Sequence, residues 1–316
     1  MATHAFLLQH NPQPTAIPPF SQPGFFFNEG DHLRQQNDGS FHLLTALNQT
    51  TRQADARCAF FVRAERAVSP NAAPFGSVEF AKTLPDPVLH DFLDALVNAV
   101  RSTGAASLRL VNYPHCYALP QAERLTTKLL IHGFRPIEVN PNFFLPITDH
   151  SFERGITPAE RRRLKKCRSY GFQFIHWQDP DITEIIDFLE ETRQQQGYKL
   201  SVSTAYLREL LQKFPRQFPV FTVRDGNTLA ALTVTVRVRN DILYTFLPAS
   251  HISYRSFSPM VMLTDGLFTY CQQHSIRLLD LGVSLGDNHI PKPSLMRFKR
   301  NLGAQELPKV VFEKVL

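Results

Sequence analysis

The sequence predicts an α+β protein, built as α/β layers in two tandem domains with the division at residues 150 and 151. Three observations predict it. The length of 316 residues exceeds what one hydrophobic core usually organises. Each half closes with the order helix, strand, helix, glycine, strand. The closing elements recur at one offset, since 303 − 133 and 278 − 108 both give 170, relating Gly133 to Gly303 and the strand from Leu108 to that from Leu278. Residue identity between the halves is slight, so the repeat is one of pattern.

The leader holds Pro12, Pro14, Pro18, Pro19 and Pro23 and reads as an irregular segment lying on a domain surface. Strands are expected at 41–47 and 57–65, then a loop and a short strand at 77–80. A helix at 87–102 places Leu89, Phe92, Leu93, Leu96, Val97 and Val100 at helical spacing, and Gly104 stops it. A strand at 108–111, a helix at 121–132, Gly133 and a strand at 135–146 complete the half. The second half opens on Thr157-Pro158-Ala159-Glu160, a capping box with proline at the first helical position, starting a helix that ends before Gly171. Helices at 182–196 and 204–214 follow. Strands come next at 220–224, at 229–239 across the Asp225-Gly226-Asn227 turn, and at 242–247 across Asn240-Asp241. A helix at 259–274, a strand at 277–281, a helix at 294–302 and a strand at 309–315 close the chain.

Composition narrows the function classes. Hydrophobic content of 43% and charged content of 20% are those of a globular protein, and 26 phenylalanines beside one tryptophan predict phenylalanine-rich cores. Cys58, Cys116, Cys167 and Cys271 are widely spaced, with neither a disulfide framework nor zinc spacing, as expected in a reducing cytoplasm. Ala5-Phe6-Leu7-Leu8 is too short for a signal-peptide core, and no run approaches the roughly 20 apolar residues of a membrane span. The formal charge of +6 favours a polyanionic partner. No HExxH pair, GxxxxGK[ST] loop, GxGxxG fingerprint or helix-turn-helix pattern is present, so no metal site is expected.

Three constellations carry chemistry. Arg161, Arg162, Arg163, Lys165, Lys166 and Arg168 crowd one helix around a narrow ridge of Leu164 and Cys167, a repulsion that an anionic ligand would relieve. The loop from Ser250 to Pro259 enters a helix with Ser258 as its expected N-cap, and Tyr254, Arg255 and Ser256 stand beside that positive helix end. Gly282-Val-Ser284-Leu-Gly286 matches a hydrolase GxSxG elbow after a strand. However, the Asp287–Pro293 stretch is no helix, and too little chain follows for an acid and a base.

The basic helix with Gly171, the Ser258-Pro259 helix start, the Asp280-Leu-Gly282 strand end and Phe298-Lys299 before Gly303 together resemble the GNAT acyltransferase fold. The branch is that of the Fem-type aminoacyl transferases and related acetyltransferase-like proteins. The resemblance implies two tandem GNAT-like domains, 1–150 and 151–316, each a mixed, mostly antiparallel sheet flanked by helices, with the acyl-donor site in the second. It implies that Lys299 stabilises charge at the transferred carbonyl while Phe298 lines the donor channel. The acyl group would lie near Tyr244 and Asp280, with Asp280, Ser284 or Tyr254 relaying the proton. No bound cofactor is implied; acyl-CoA or aminoacyl-tRNA is the donor and co-substrate, and an amine-bearing acceptor such as an envelope precursor is the other partner. Two departures stand out: Tyr254–Pro259 lacks the glycines of the usual phosphate loop, and 182–214 does not make the Fem-type helical arm. Pro74-Phe75-Gly76-Ser77 occupies the corresponding loop of the first half without a catalytic group. The alternatives are a non-catalytic binder of an anionic ligand on a degenerate scaffold and, third, a serine hydrolase at Ser284.

Overall fold

The computed structural model describes residues 3–36, 40–197, 199–286 and 290–316. The chain divides into one unit of residues 1–141 with 307–316 and another of 142–306. The division thus falls nine residues before the expected boundary, and the last ten residues return to the first unit.

In the first unit the elements are β1 His4–His10, α1 Gly30–Gln35, β2 His42–Asn48, β3 Ala54–Arg63, β4 Arg66–Ser69, β5 Glu79–Phe80, α2 Asp86–Arg101, β6 Ser107–Val111, α3 Leu119–Ile131 and the start of β7 Arg135–Pro146. Its strands run in the order β1-β2-β3-β4-β6, with β5 beside β3. Only β4 and β6 pair in parallel among these. The expected helix face of α2 is the core: Leu89, Phe92, Leu93, Leu96, Val97 and Val100 are all buried against the sheet. The leader differs from expectation because its first residues form β1, paired with β2 along its length. Its later part is fastened by buried charge. Glu79 accepts hydrogen bonds from the Phe25 amide, Asn28 and Arg57, and Arg57 also pairs with Glu29 at 2.8 Å. The Phe75 loop is filled by rings, with Phe25, Phe27, Tyr113 and Tyr117 packed around Phe75.

The second unit takes the end of β7 and adds α4 Phe152–Gly155, α5 Pro158–Ser169, β8 Gln173–Trp177, α6 Ile182–Gln195, α7 Thr204–Lys213, β9 Val220–Asp225, β10 Thr228–Arg239, β11 Ile242–Ser250, α8 Pro259–Gln273, β12 Leu278–Val283 and α9 Pro293–Asn301. The order is β7-β12-β11-β10-β9-β8, with β11 and β12 the one parallel pair. Its core joins Leu164 and Cys167 of α5 and Val261, Leu263, Leu267 and Cys271 of α8 to the inner strand residues. The final strand β13, Gln305–Val315, pairs antiparallel with β6, so Val311 faces Val111 and Val315 faces Ser107. Each unit's run of strands therefore ends on a strand encoded in the other half of the chain.

Candidate active site

The site grows from an irregularity in β12. Parallel pairing with β11 stops after Ile242↔Leu278, Leu243↔Leu279 and Tyr244↔Asp280, and the two strands part from there. On the other edge of β12 the register to β7 shifts between Asp280 and Gly282, a bulge in which Gly282 takes φ = 70°. Glycine is required there. A Cβ would meet the Tyr244 ring at 3.0 Å, and the left-handed backbone disfavours any other residue. The bulge turns the Gly282 amide onto the Asp280 carboxylate, at 2.7 Å from Oδ1. Asn142 of β7 donates to the same oxygen, also at 2.7 Å. Asp280 is 1% exposed, so these donors satisfy a carboxylate that water does not reach.

Lys299 enters this pocket from α9. Its Nζ donates to the carbonyl oxygens of Gly282 and Val283 at 2.9 and 2.8 Å and lies 5.4 Å from the centre of the Phe143 ring. The residue is 7% exposed. Burial lowers its pKa to about 7, outweighing the upward pull of the Asp280 charge. The Tyr244 phenol is pushed the other way, upward, by burial and by Asp280. Phe298, beside Lys299, packs on the core with its ring half-buried. The sequence signals for these groups thus converge on one end of the β11–β12 pair.

How α9 is held was not visible in the residues of the expected capping box. α5 starts at Pro158 as predicted, but Thr157 makes no side-chain cap, and its hydroxyl is buried without a partner among the described residues. Its amide donates instead to the Asn301 carbonyl at the end of α9. Glu160 is fully buried and accepts from Arg163 at 2.6 Å and from the Asn301 side chain at 3.5 Å. The N-terminus of α5 therefore anchors the helix that carries Lys299.

The other expected residues lie elsewhere. Tyr254 donates to Asp225 at 3.2 Å beside the β9–β10 turn and packs on Phe172 and Phe257. Six strand residues, about 20 Å, separate Tyr244 from Ser250, where that loop begins. Tyr254 is therefore not a proton relay for Asp280. Ser258 occupies the N-cap position of α8 but at φ = 57° and without a side-chain cap bond. The amides of Ser253, Tyr254, Arg255, Phe257 and Ser258 donate to His251 Nδ1 or to carbonyls within the loop. The loop thus spends on itself most of the N–H groups that a phosphate would need. The Arg255 guanidinium and the Ser256 side chain are exposed, without side-chain hydrogen bonds among the described residues.

The basic helix is more neutralised than its sequence implied. Arg161 donates to the Glu153 and Ile156 carbonyls, Arg163 pairs with Glu160, and Arg168 pairs with Glu153 and Asp265. Lys166 donates to the Ser256 carbonyl and sits over the Phe257 ring. The compensating acids and carbonyls come mostly from outside the helix. Arg162 and Lys165 remain as exposed cations without a partner among the described residues.

Ser284 is buried after β12, its hydroxyl without a partner among the described residues. Asp287, Asn288 and His289 lie outside the described residues. Around them Leu285 bridges Pro291, and the next helix starts at Pro293, so no elbow leads from Ser284 into a helix. The cysteines offer no nucleophile either. All four are buried, and burial raises Cys167 to about 11 and Cys58 and Cys271 to about 12. Sequence reasoning missed Asn142, Glu160 and Asn301. A polar residue opening the apolar run Asn142-Phe-Phe-Leu of a strand was the available signal for the first.

Residues 154–300 match the model of the acetyltransferase (GNAT) domain family. No curated protein sequence matches the chain. Among solved structures the chain is similar to FemX, at 10% identity and a TM-score of 0.69, with 93% of each chain covered. A second is the C-terminal domain of a putative lysylphosphatidylglycerol synthetase from Agrobacterium fabrum, at 12% identity and a TM-score of 0.57, covering 82% of this chain and 80% of that one. A third is a tandem GNAT protein from the clavulanic acid biosynthesis pathway, at 14% identity and a TM-score of 0.54, covering 87% and 82%. These similarities describe the fold. Among the described residues no helix is long and apolar enough to cross a membrane.

Proposed function

With a GNAT acyltransferase domain at residues 154–300 and a tandem-GNAT fold around it, we propose that this enzyme is an N-acyltransferase that takes an aminoacyl group from aminoacyl-tRNA. Its acceptor in this reading is an amine, such as that of a cell-envelope precursor. One observation carries the chemistry: the Lys299 ammonium, buried where β11 and β12 part and near the Phe143 ring, has two N–H groups held by carbonyls and a third without a hydrogen-bond partner among the described residues. That third N–H is available to the oxygen that becomes negative when the acceptor amine adds to the ester carbonyl. The C–N bond forms, the C–O bond to the ribose breaks, and the amine proton passes to the leaving oxygen. Asp280, held by Asn142 and the Gly282 amide, supplies a fixed negative charge that keeps the ammonium form accessible despite burial.

The β11–α8 loop favours an aminoacyl ester over coenzyme A, because its amides are already bonded within the loop. Arg162 and Lys165, without a partner among the described residues, and the charge of +6 suit a long polyanion. The test is transfer of labelled amino acid from charged tRNA to an amine acceptor, run beside thermal shift with acetyl-CoA and longer acyl-CoAs. Transfer from tRNA, reduced about 100-fold in Lys299→Ala, is expected, with no CoA-dependent rise in melting temperature. A CoA-dependent rise without transfer from tRNA would replace the donor. Binding of charged tRNA that survives in Lys299→Ala, with no transfer by either protein, would instead mark a binder on a degenerate scaffold.

A further inference from the structure

We propose that the first unit holds a zinc site made by His90 and Asp94 of α2 and His132 at the end of α3. His90 and Asp94 are four residues apart on one helix, which puts both side chains on the same face. His132 is the residue that ends α3, and its side chain is buried to 4% exposure. The ligand atoms of all three lie within 4.8 Å of one another.

The surroundings of His132 leave its ring well placed for a metal ion. Its Nδ1 lies 2.7 Å from the Lys128 carbonyl and its Nε2 lies 3.2 Å from the His90 carbonyl and 3.5 Å from Asp94 Oδ1. Both ring nitrogens thus face oxygen acceptors, whereas a neutral imidazole carries one proton. In the tautomer with Nδ1 donating along the shorter contact, to Lys128, Nε2 keeps its lone pair for a metal ion. An imidazole held through Nδ1 by a backbone carbonyl, as this geometry allows, is the form that binds metal through Nε2.

The spacing fits zinc. His90 Nε2 is 3.6 Å from Asp94 Oδ2, and the two imidazole rings are 4.4 Å apart. Ligands about 2.1 Å from a tetrahedral zinc ion stand about 3.4 Å from each other. His132 Nε2 is 3.5 Å from Asp94 Oδ1 and His90 Nε2 is 3.6 Å from Oδ2, so a small turn of the exposed carboxylate brings one oxygen to both. The side chains of His90 and Asp94 are 46% and 60% exposed, leaving the fourth position open to water. Bound there, the ion clips α2 to the end of α3. The expectation of no metal came from seeking HExxH spacing; here two ligands lie at i and i+4 and the third comes from another helix.

The experiment uses the untagged full chain, stripped with a chelator, and titrates Zn2+ against a chromophoric competitor. One ion per chain, bound at micromolar or tighter Kd and raising the melting temperature by several degrees, is expected. Co2+ in its place should give the strong visible bands of a tetrahedral site. Because His132 is buried, the diagnostic variants are His90→Ala and Asp94→Asn at exposed positions, each expected to weaken binding at least tenfold without loss of the fold. No uptake of Zn2+ near one equivalent, or uptake unchanged in both variants, would overturn the site.

Discussion

Lys299 sets two predictions at the scale of single residues. If its ammonium form stabilises the oxyanion, turnover falls as pH rises through about 7, where that form is lost. A rate that climbs through the same range would assign Lys299 to proton abstraction. Stability has the opposite slope. Between the folded pKa of about 7 and the ordinary value of 10.5 the unfolded chain binds the proton that the folded chain rejects, so this group's destabilisation is full below pH 7 and fades toward pH 10.5. Lys299→Met should therefore gain stability relative to the parent at pH 6, by up to a few kcal/mol, and lose that advantage by pH 10 in denaturant titrations. Gly282→Ala meets both the Tyr244 ring and a left-handed backbone, and should cost about 2 kcal/mol while displacing the carbonyl that holds Lys299. A crystal structure of that variant with Lys299 Nζ unmoved would disprove the coupling.

Helices α5 and α8 decide what the basic surface can bind. Four of the six cations on α5 are engaged, so among the described residues of this helix Arg162 and Lys165 are the cations that can meet a phosphate without first giving up a partner. With aminoacyl-tRNA as the proposed donor, reversing both to glutamate should weaken its binding and lower the salt slope by about two ions, with stability unchanged within about 0.5 kcal/mol. Arg168→Ala, by contrast, removes a paired arginine and should leave the salt slope as it is. Filter binding across a salt series separates the two outcomes. In the first unit, Arg57→Ala leaves Glu79 buried without its cation and should cost about 3–5 kcal/mol, measurable by chemical denaturation.

At the scale of the molecule, the return of β13 to the first unit makes the end of the chain part of its opening core. Phe312 is 1% exposed and packs in the same cluster as Phe92 and Leu96, and Val310 and Val311 are buried nearby. Deleting 307–316 should expose β6 and α2 to amide exchange while β10 and β11 of the second unit keep their protection. Loss of protection confined to the second unit would contradict this division.

The sequence by itself determined the local structure that hydrophobic period and stop signals encode. The buried face of α2, the turns at Gly226 and Asn240, the glycines at 133 and 303 and the placing of Phe298-Lys299 on a short helix were all legible. The resemblance named Lys299 and Asp280 for one site, and the structure sets Lys299 Nζ on the Gly282 and Val283 carbonyls just past Asp280. What the sequence left open was decided by long-range pairing. A strand's pattern says which face it buries but not which neighbour it joins, so the places of β7 and β13 had to come from register. The same holds for charge. Nothing local shows that Glu153 and Asp265 neutralise Arg168, that Asn301 draws the Thr157 amide away from a capping box, or that loop carbonyls consume the amides before α8. Each of these partners lies far along the chain or in a loop without a period, and only folding brings it within hydrogen-bond distance.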